Sequence, residues 1–191
     1  MAGRGYTIFD TAVGRCGIAW GDRGVLGVYL PEAREIETRR RMLRQYSDAR
    51  ELRLALDAKF AIEGIVALLR GEPSDFSDVT LDMHGLPPFN RRVYEFARTI
   101  PRGETMTAAE LARRLGASGA TQAVGQAIGR NPFAIVVPCH RVLAEAGTDG
   151  FSVNGGTISK RRLLALEGTM VRSGPTLFDA LLSVATPRPH G

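Results

Sequence analysis

The sequence predicts a mixed α/β (α+β) chain in two parts, a small antiparallel sheet carrying one long helix and then a mainly helical half. Three observations lead there. Short apolar runs separated by turn residues crowd the start of the chain, as in Tyr6-Thr7-Ile8-Phe9 and Gly17-Ile18-Ala19-Trp20. Apolar residues recur at helical spacing from Glu51 onward and again from Phe89. The charge balance also changes at Gly85-Leu86-Pro87-Pro88: residues 1–84 carry a net −1 and residues 85–191 a net +6. We therefore place an N-terminal β-rich domain at 1–84 and a second domain at 85–191.

Gly21-Asp22-Arg23-Gly24 supplies turn chemistry before Val25-Leu26-Gly27-Val28-Tyr29-Leu30, which makes the opening segment an antiparallel meander. Glu32 to Asp48 is charged and weakly apolar, and reads either as a loop or as an exposed helix. Glu51 to Leu69 reads as a helix with Leu52, Leu56, Phe60 and Ile65 on one stripe and Gly71 as its stop. Val79 to Met83 reads as a strand. In the second part, Phe89 to Ile100 carries the stripe Phe89, Val93, Phe96, Ala97 and Ile100, ended by Pro101. Thr107-Ala108-Ala109-Glu110 is a capping box opening a helix that runs to Leu115 and stops at Gly116. After a tight turn, a helix follows from about Ala120 to Gly129, with Ser118 or Thr121 as its cap. The pair reads as a helix-turn-helix. Gly125 and Gly129 each weaken the second helix by roughly 1 kcal/mol. They serve either close approach to something outside or tight packing inside. Phe133 to Val137 is an apolar, strand-like run.

The 191 residues carry a net charge of +5, with 44% hydrophobic and 24% charged side chains, which excludes a fibrous or largely disordered chain. No apolar run reaches the roughly 18–20 residues that span a bilayer, and the N-terminus lacks a secretory signal. The expectation is a cytoplasmic protein with no membrane partner. Nearly all of the basic residues are Arg; the exceptions are Lys59 and Lys160. Arg suits phosphate contacts, although a habit of codon usage would leave the same trace.

Two cysteines and three histidines at no metal-ligand spacing argue against a zinc site. Cys16 begins a strand, where a structural role fits. Cys139 sits in Pro138-Cys139-His140-Arg141-Val142. A thiol becomes a nucleophile when a base or a positive charge favours the thiolate, and His140 and Arg141 are adjacent. Adjacency alone also fits a structural pair, because neighbours on a strand point to opposite faces.

Asn131-Pro132 followed by Pro138-Cys139-His140-Arg141-Val142 resembles the active-site signature of the O6-alkylguanine-DNA alkyltransferases, the methylated-DNA–protein-cysteine methyltransferases. The likeness extends to Pro88-Phe89-Asn90-Arg91-Arg92-Val93-Tyr94, Ile100-Pro101-Arg102-Gly103-Glu104-Thr105, Leu111-Ala112, Ala123-Val124-Gly125 and Leu163-Leu164-Ala165-Leu166-Glu167-Gly168. It covers about residues 79 to 168.

The resemblance implies a ribonuclease H-like N-terminal fold and a C-terminal domain with a winged-helix-like helix-turn-helix. It implies a monomer that repairs DNA carrying O6-alkylguanine, or O4-alkylthymine, without cofactor or metal. The second helix of the helix-turn-helix would enter the minor groove, and the damaged base would flip into a pocket. Thr107, Ala108, Gln122, Ala123, Gly125, Gln126 and Arg130 would then meet DNA. Ile128, Pro138, Val142, Phe151 and Ser152 would line the pocket. Cys139 would take the alkyl group irreversibly, His140 would remove the thiol proton through a water, Glu167 would orient His140, and Asn131 would hold the turn.

Three positions depart from the family pattern. Gln122 stands where the family usually has an Arg that fills the gap left by the flipped base. Ala108 stands where it usually has a Tyr, and Gly150-Phe151 where it usually has Gly-Tyr. These departures leave two further readings: a lesion-sensing DNA-binding protein with weak or altered transfer, and a transcriptional regulator using the helix-turn-helix alone.

Overall fold

The computed structural model describes residues 3–144 and 158–169. The expected meander forms: β1 (Gly5–Thr11), β2 (Gly14–Gly21) and β3 (Gly24–Tyr29) pair antiparallel in turn. A two-residue β4 (Arg50–Glu51) adds parallel to β1, giving the order β3-β2-β1-β4. Gly24 has φ +124°, and a Cβ there would collide with the backbone of Thr80, so the turn needs glycine on both counts.

Alternation along β2 assigns the two faces. Cys16, Ile18 and Trp20 join the main core with α2 (Leu56–Leu69). Ala19 faces the other way and packs with Tyr6, Tyr29, Met42 and Tyr46 beneath α1 (Glu35–Gln45). The ambiguous charged segment is therefore a helix with Thr38 and Met42 buried, not a loop.

The long helix begins at Leu56 rather than Glu51, and its expected stripe is partly wrong. Leu52 and Leu56 are 45% and 65% exposed. The buried side is Ala58, Ala61, Ile65, Leu68 and Leu69. Small residues let α2 lie close on the sheet, a contact that leucine spacing alone does not reveal. Val79–Met83 is not a strand of the sheet. It meets β3 through one bridge, Leu81 to Val25, with Val25 N–H donating to Thr80 O at 2.9 Å and Asp82 N–H to Val25 O at 2.8 Å. Farther along the same edge, Val28 N–H donates to Pro132 O at 2.8 Å, and Phe133 bridges to Val28. The outer edge of β3 thus holds both the connection between the halves and the start of the cysteine segment.

The second half contains α3 (Pro88–Ala97), β5 (Met106–Thr107), α4 (Ala108–Arg114), α5 (Thr121–Gly129), β6 (Val142–Leu143) parallel to β5, and α6 (Lys160–Leu166). Pro88 sits in the first turn of α3, where its missing N–H costs nothing. That helix stops three residues before the expected Ile100, although Ile100 is still buried. Thr107 Oγ1 accepts the Glu110 N–H at 3.1 Å, but the Glu110 carboxylate turns to Arg114, so only half of the capping box forms. Neither Ser118 nor Thr121 caps α5; its N-cap is Ala120, which has no side-chain acceptor.

Phe133 to Val137 is a buried turn rather than a strand. Val136 N–H donates to Ala134 O and Val137 N–H to Phe133 O, each at 2.9 Å, and Ile135 takes φ +71°. A β-branched residue in that region costs on the order of 1–3 kcal/mol. Burial of all five side chains in the main core holds it there. That core is continuous: Tyr94, Leu111, Val124, Phe133 and Leu163 belong to the same cluster as Ile18, Trp20 and Ile65.

Candidate active site

The buried turn delivers Cys139 into a single 3-10 turn, Cys139–Arg141. Successive side chains in such a turn sit about 120° apart. Two consecutive residues can then reach one partner, as they could not on a strand. His140 and Arg141 do so on Glu167, which follows the end of α6. His140 Nε2 contacts Glu167 Oε1. Arg141 Nε lies 3.1 and 3.2 Å from the two carboxylate oxygens, and its Nη2 also donates to Oε2. Arg141 Nη1 donates to Ile100 O at 2.7 Å, which anchors the cluster beyond the end of α3.

Asn131 closes the other side. Its Oδ1 accepts the Phe133 N–H at 2.9 Å, and its Nδ2 donates to Val137 O at 3.0 Å, joining the entry of the turn to its exit. Lys160, at the start of α6, is buried and donates to Val142 O at 3.1 Å.

Burial sets the protonation states, and hydrogen bonds modify them. Burial pushes the Cys139 thiol above its ordinary pKa, opposed by a hydrogen bond from Asn131, by the Lys160 charge and by backbone N–H groups. Burial lowers the pKa of His140; Glu167 opposes this, while Arg141 and Lys160 reinforce it, so the imidazole is neutral at pH 7. Burial would raise Glu167, but the hydrogen bonds from His140 and Arg141, the Arg141 charge and, in the acid range where the imidazole is protonated, the His140 charge outweigh it and hold the carboxyl at about 2. An ionised Glu167 requires the proton on Nε2, a tautomer assigned from the bonding pattern. Nδ1 is then the acceptor. It is buried and has no partner among the described residues.

Four sequence-predicted residues therefore converge: Cys139, His140, Asn131 and Glu167 are 2%, 0%, 2% and 6% exposed. Of the expected pocket residues, Ile128, Pro138 and Val142 are buried around the turn, while Phe151 and Ser152 lie outside the described residues. Cys16 is buried and its thiol is pushed up to about 12 by burial, against a weaker opposing hydrogen bond with Thr11, which fits a structural role. No group of residues able to hold a metal occurs among the described residues.

The expected DNA face is mostly exposed. Gln122, Ala123, Gly125, Gln126 and Arg130 are open on α5. A Cβ at Gly125 or Gly129 would meet nothing within 4 Å, so these glycines do not serve internal packing. Ala108 is the exception. It is 8% exposed and belongs to the core, so its methyl is turned away from the face on which it was expected. Thr107 is half-buried as the cap of α4.

Two site residues escaped the sequence reading. Arg141 was seen only as a nearby charge. Lys160 did leave a signal: in a chain whose cations are almost all Arg, a Lys marks a place for a compact ammonium on a flexible stem.

This arrangement can be set beside known proteins. The family model for the 6-O-methylguanine DNA methyltransferase DNA-binding domain matches residues 88–169. A methylated-DNA–protein-cysteine methyltransferase of Mycolicibacterium paratuberculosis is 47% identical over 120 residues, covering 62% of this chain and 70% of the relative. The chain belongs to the methylated-DNA–protein-cysteine methyltransferase family. Another member, from Methanothermobacter thermautotrophicus, is 36% identical over 152 residues, covering 80% of this chain and 78% of that one. The crystal structure of Mycobacterium tuberculosis OGT in complex with DNA superposes with a TM-score of 0.68 at 34% identity, covering 85% of this chain and 92% of that one. The fold is thus the mixed α/β fold of these methyltransferases, and no described helix is long and apolar enough to cross a membrane.

Proposed function

We propose that this protein repairs alkylated DNA by moving the alkyl group from O6 of guanine onto Cys139, once per molecule. The observation that carries this reading is the state of His140. Its Nε2 is committed to an ionised Glu167, which leaves a neutral imidazole whose Nδ1 acceptor has no partner among the described residues, in the same turn as the buried thiol. His140 Nδ1 takes the thiol proton through a bridging water. Cys139 Sγ then attacks the alkyl carbon, the carbon–O6 bond breaks, and its electron pair stays on the oxygen. The proton held by His140 returns to the departing guanine, and the protein keeps a thioether. Asn131 and Lys160 stabilise the thiolate while it exists. The reaction balances without any further reagent, and a thioether does not hydrolyse readily, so the protein acts as a stoichiometric acceptor.

On this reading α5 enters the minor groove. Its exposed Ala123, Gly125 and Gly129 let the helix approach closely, and Gln122 fills the gap left by the flipped base. The exposed Arg130, Arg161 and Arg162 are candidate phosphate contacts. Residues 1–84 form a ribonuclease H-like support. Residues 85–191 form the acting domain, with β5 and β6 as the wing beside α4 and α5, and the protein works as a cytoplasmic monomer. A lesion sensor would need no nucleophile, so the convergence on Cys139 favours transfer.

Mass spectrometry after incubation with an O6-methylguanine duplex should show a gain of about 14 Da on the Cys139 peptide, and none for Cys139→Ala. A folded protein that stays unmodified by methyl and benzyl adducts alike would overturn the reading.

A further inference from the structure

We propose that Arg141 is a positioning residue for alkyl transfer, holding the Glu167 carboxylate in the place and the charge state that His140 requires. The inference rests on the proposed role of His140 as proton acceptor.

Glu167 comes from the end of α6, a helix that begins after the segment 145–157, whereas His140 belongs to the 3-10 turn. Lys160 ties the start of α6 to Val142 O, just beyond the turn, and Arg141 fixes the far end of the helix, where Glu167 sits. Its guanidinium grips both oxygens of Glu167 with one edge and reaches Ile100 O with the other. The planar fork fixes the carboxylate in two dimensions, which an ammonium could not do. The main chain of Ile100 is in turn fixed, its N–H donating to Ala97 O at 3.1 Å and its side chain buried. The chain of support runs from the end of α3 through Arg141 to Glu167 and so to Nε2 of His140. Arg102 steadies the same end of α6 from outside, donating to Leu166 O at 3.2 Å and Gly71 O at 2.8 Å.

Arg141 also acts by charge. The groups that bear on His140 are Glu167 and Lys160 from α6 and its margin, and Arg141 and Cys139 from its own turn. Tyr94 of α3 couples to Cys139. Of these, Glu167 favours the imidazolium, while Arg141 and Lys160 oppose it. The direct contact between His140 Nε2 and Glu167 Oε1 does not pass through Arg141, so losing Arg141 leaves that bond and removes one opposing cation, and His140 becomes easier to protonate. His140 must be neutral to accept the thiol proton. The acid limb of the transfer rate therefore moves to higher pH when Arg141 is lost, and the plateau falls because the carboxylate, still bonded to His140, is no longer held in a single orientation.

The test is single-turnover transfer from an O6-methylguanine duplex, followed from pH 5 to 9, for the wild-type protein, Arg141→Ala and Arg141→Lys. Duplex affinity and thermal melting are measured alongside. Arg141→Ala should lower the plateau by roughly ten- to hundredfold, part of what a positioned base contributes. It should also raise the midpoint of the acid limb, with duplex affinity unchanged. Arg141→Lys should restore the midpoint but not the full plateau, because it returns the charge without the fork. If Arg141→Ala does not fold, the lysine variant decides alone: a wild-type plateau in that variant overturns the proposal. A plateau that falls in Arg141→Ala with no movement of the limb also overturns it, because lost packing alone would do that. A wild-type protein that transfers nothing would instead refute the function, and a wild-type profile in Arg141→Ala would refute only the role given to Arg141.

Discussion

Replacing Glu167 with Gln keeps its shape and removes its charge, and the structure sets the expected cost. The ordinary carboxylate value is 4.5, and Glu167 is held at about 2. That depression, at about 1.4 kcal/mol for each tenfold change in acidity, makes the charged form worth about 3 kcal/mol to the folded state near neutral pH. The folded-state pKa is depressed, so this stabilisation is complete above the unfolded value of 4.5 and is lost as pH falls towards about 2. Glu167→Gln should therefore be less stable than the wild type by about 3 kcal/mol at pH 7, and by only about 1 kcal/mol near pH 3. Denaturant titrations at both pH values measure the gap directly. Thermal melting at pH 7 should fall by roughly 6–12 °C for a domain of this size. A gap below about 1 kcal/mol at pH 7, or one that does not narrow on acidification, would show that the His140–Glu167–Arg141 cluster is not an ionised network.

Three further outcomes concern α5. A Cβ at Gly125 meets nothing, so Gly125→Ala should stabilise the fold by roughly 0.5–1 kcal/mol in denaturant titration. By contrast, Gly125→Leu should weaken duplex binding by about tenfold or more if this face enters a narrow groove; unchanged affinity would remove α5 from the interface. Gln122→Arg should tighten duplex binding and steepen the slope of log affinity against log salt by up to about 0.9, because a cation added within the groove releases counterions. Unchanged affinity together with an unchanged slope would mean that position 122 does not enter the duplex.

The features that could be read from the sequence are those written in local pattern. The meander from Tyr6 to Leu30 follows from short apolar runs and Gly-rich turns. The helix pair α4 and α5 follows from Thr107, Gly116 and the spacing around them. Asn131 and the Pro138–Val142 signature mark the turn that buries Cys139. The misreadings came from interactions that local pattern does not carry. Phe133–Val137 has the composition of a strand, yet only Phe133 reaches the β3 edge, and the next four residues must turn to deliver Cys139. Leu52 and Leu56 fit a helical stripe, but the alanines of α2 provide the close contact with the sheet. Arg141 pairs with Glu167, 26 residues away, and no spacing rule links them.

The bond from the β3 edge to the Pro132 carbonyl has a consequence for how the molecule can be divided. The carbonyl preceding Phe133 is bonded to Val28, and Phe133 shares its packing with Trp20 and Ile18. A fragment starting at Gly85 would keep the cysteine signature and the α4–α5 pair. It would also bare one side of the Cys139 turn to water and release its anchor. The two halves can be named by what each does, but they should melt as one body, with the first half serving as the missing wall of the second.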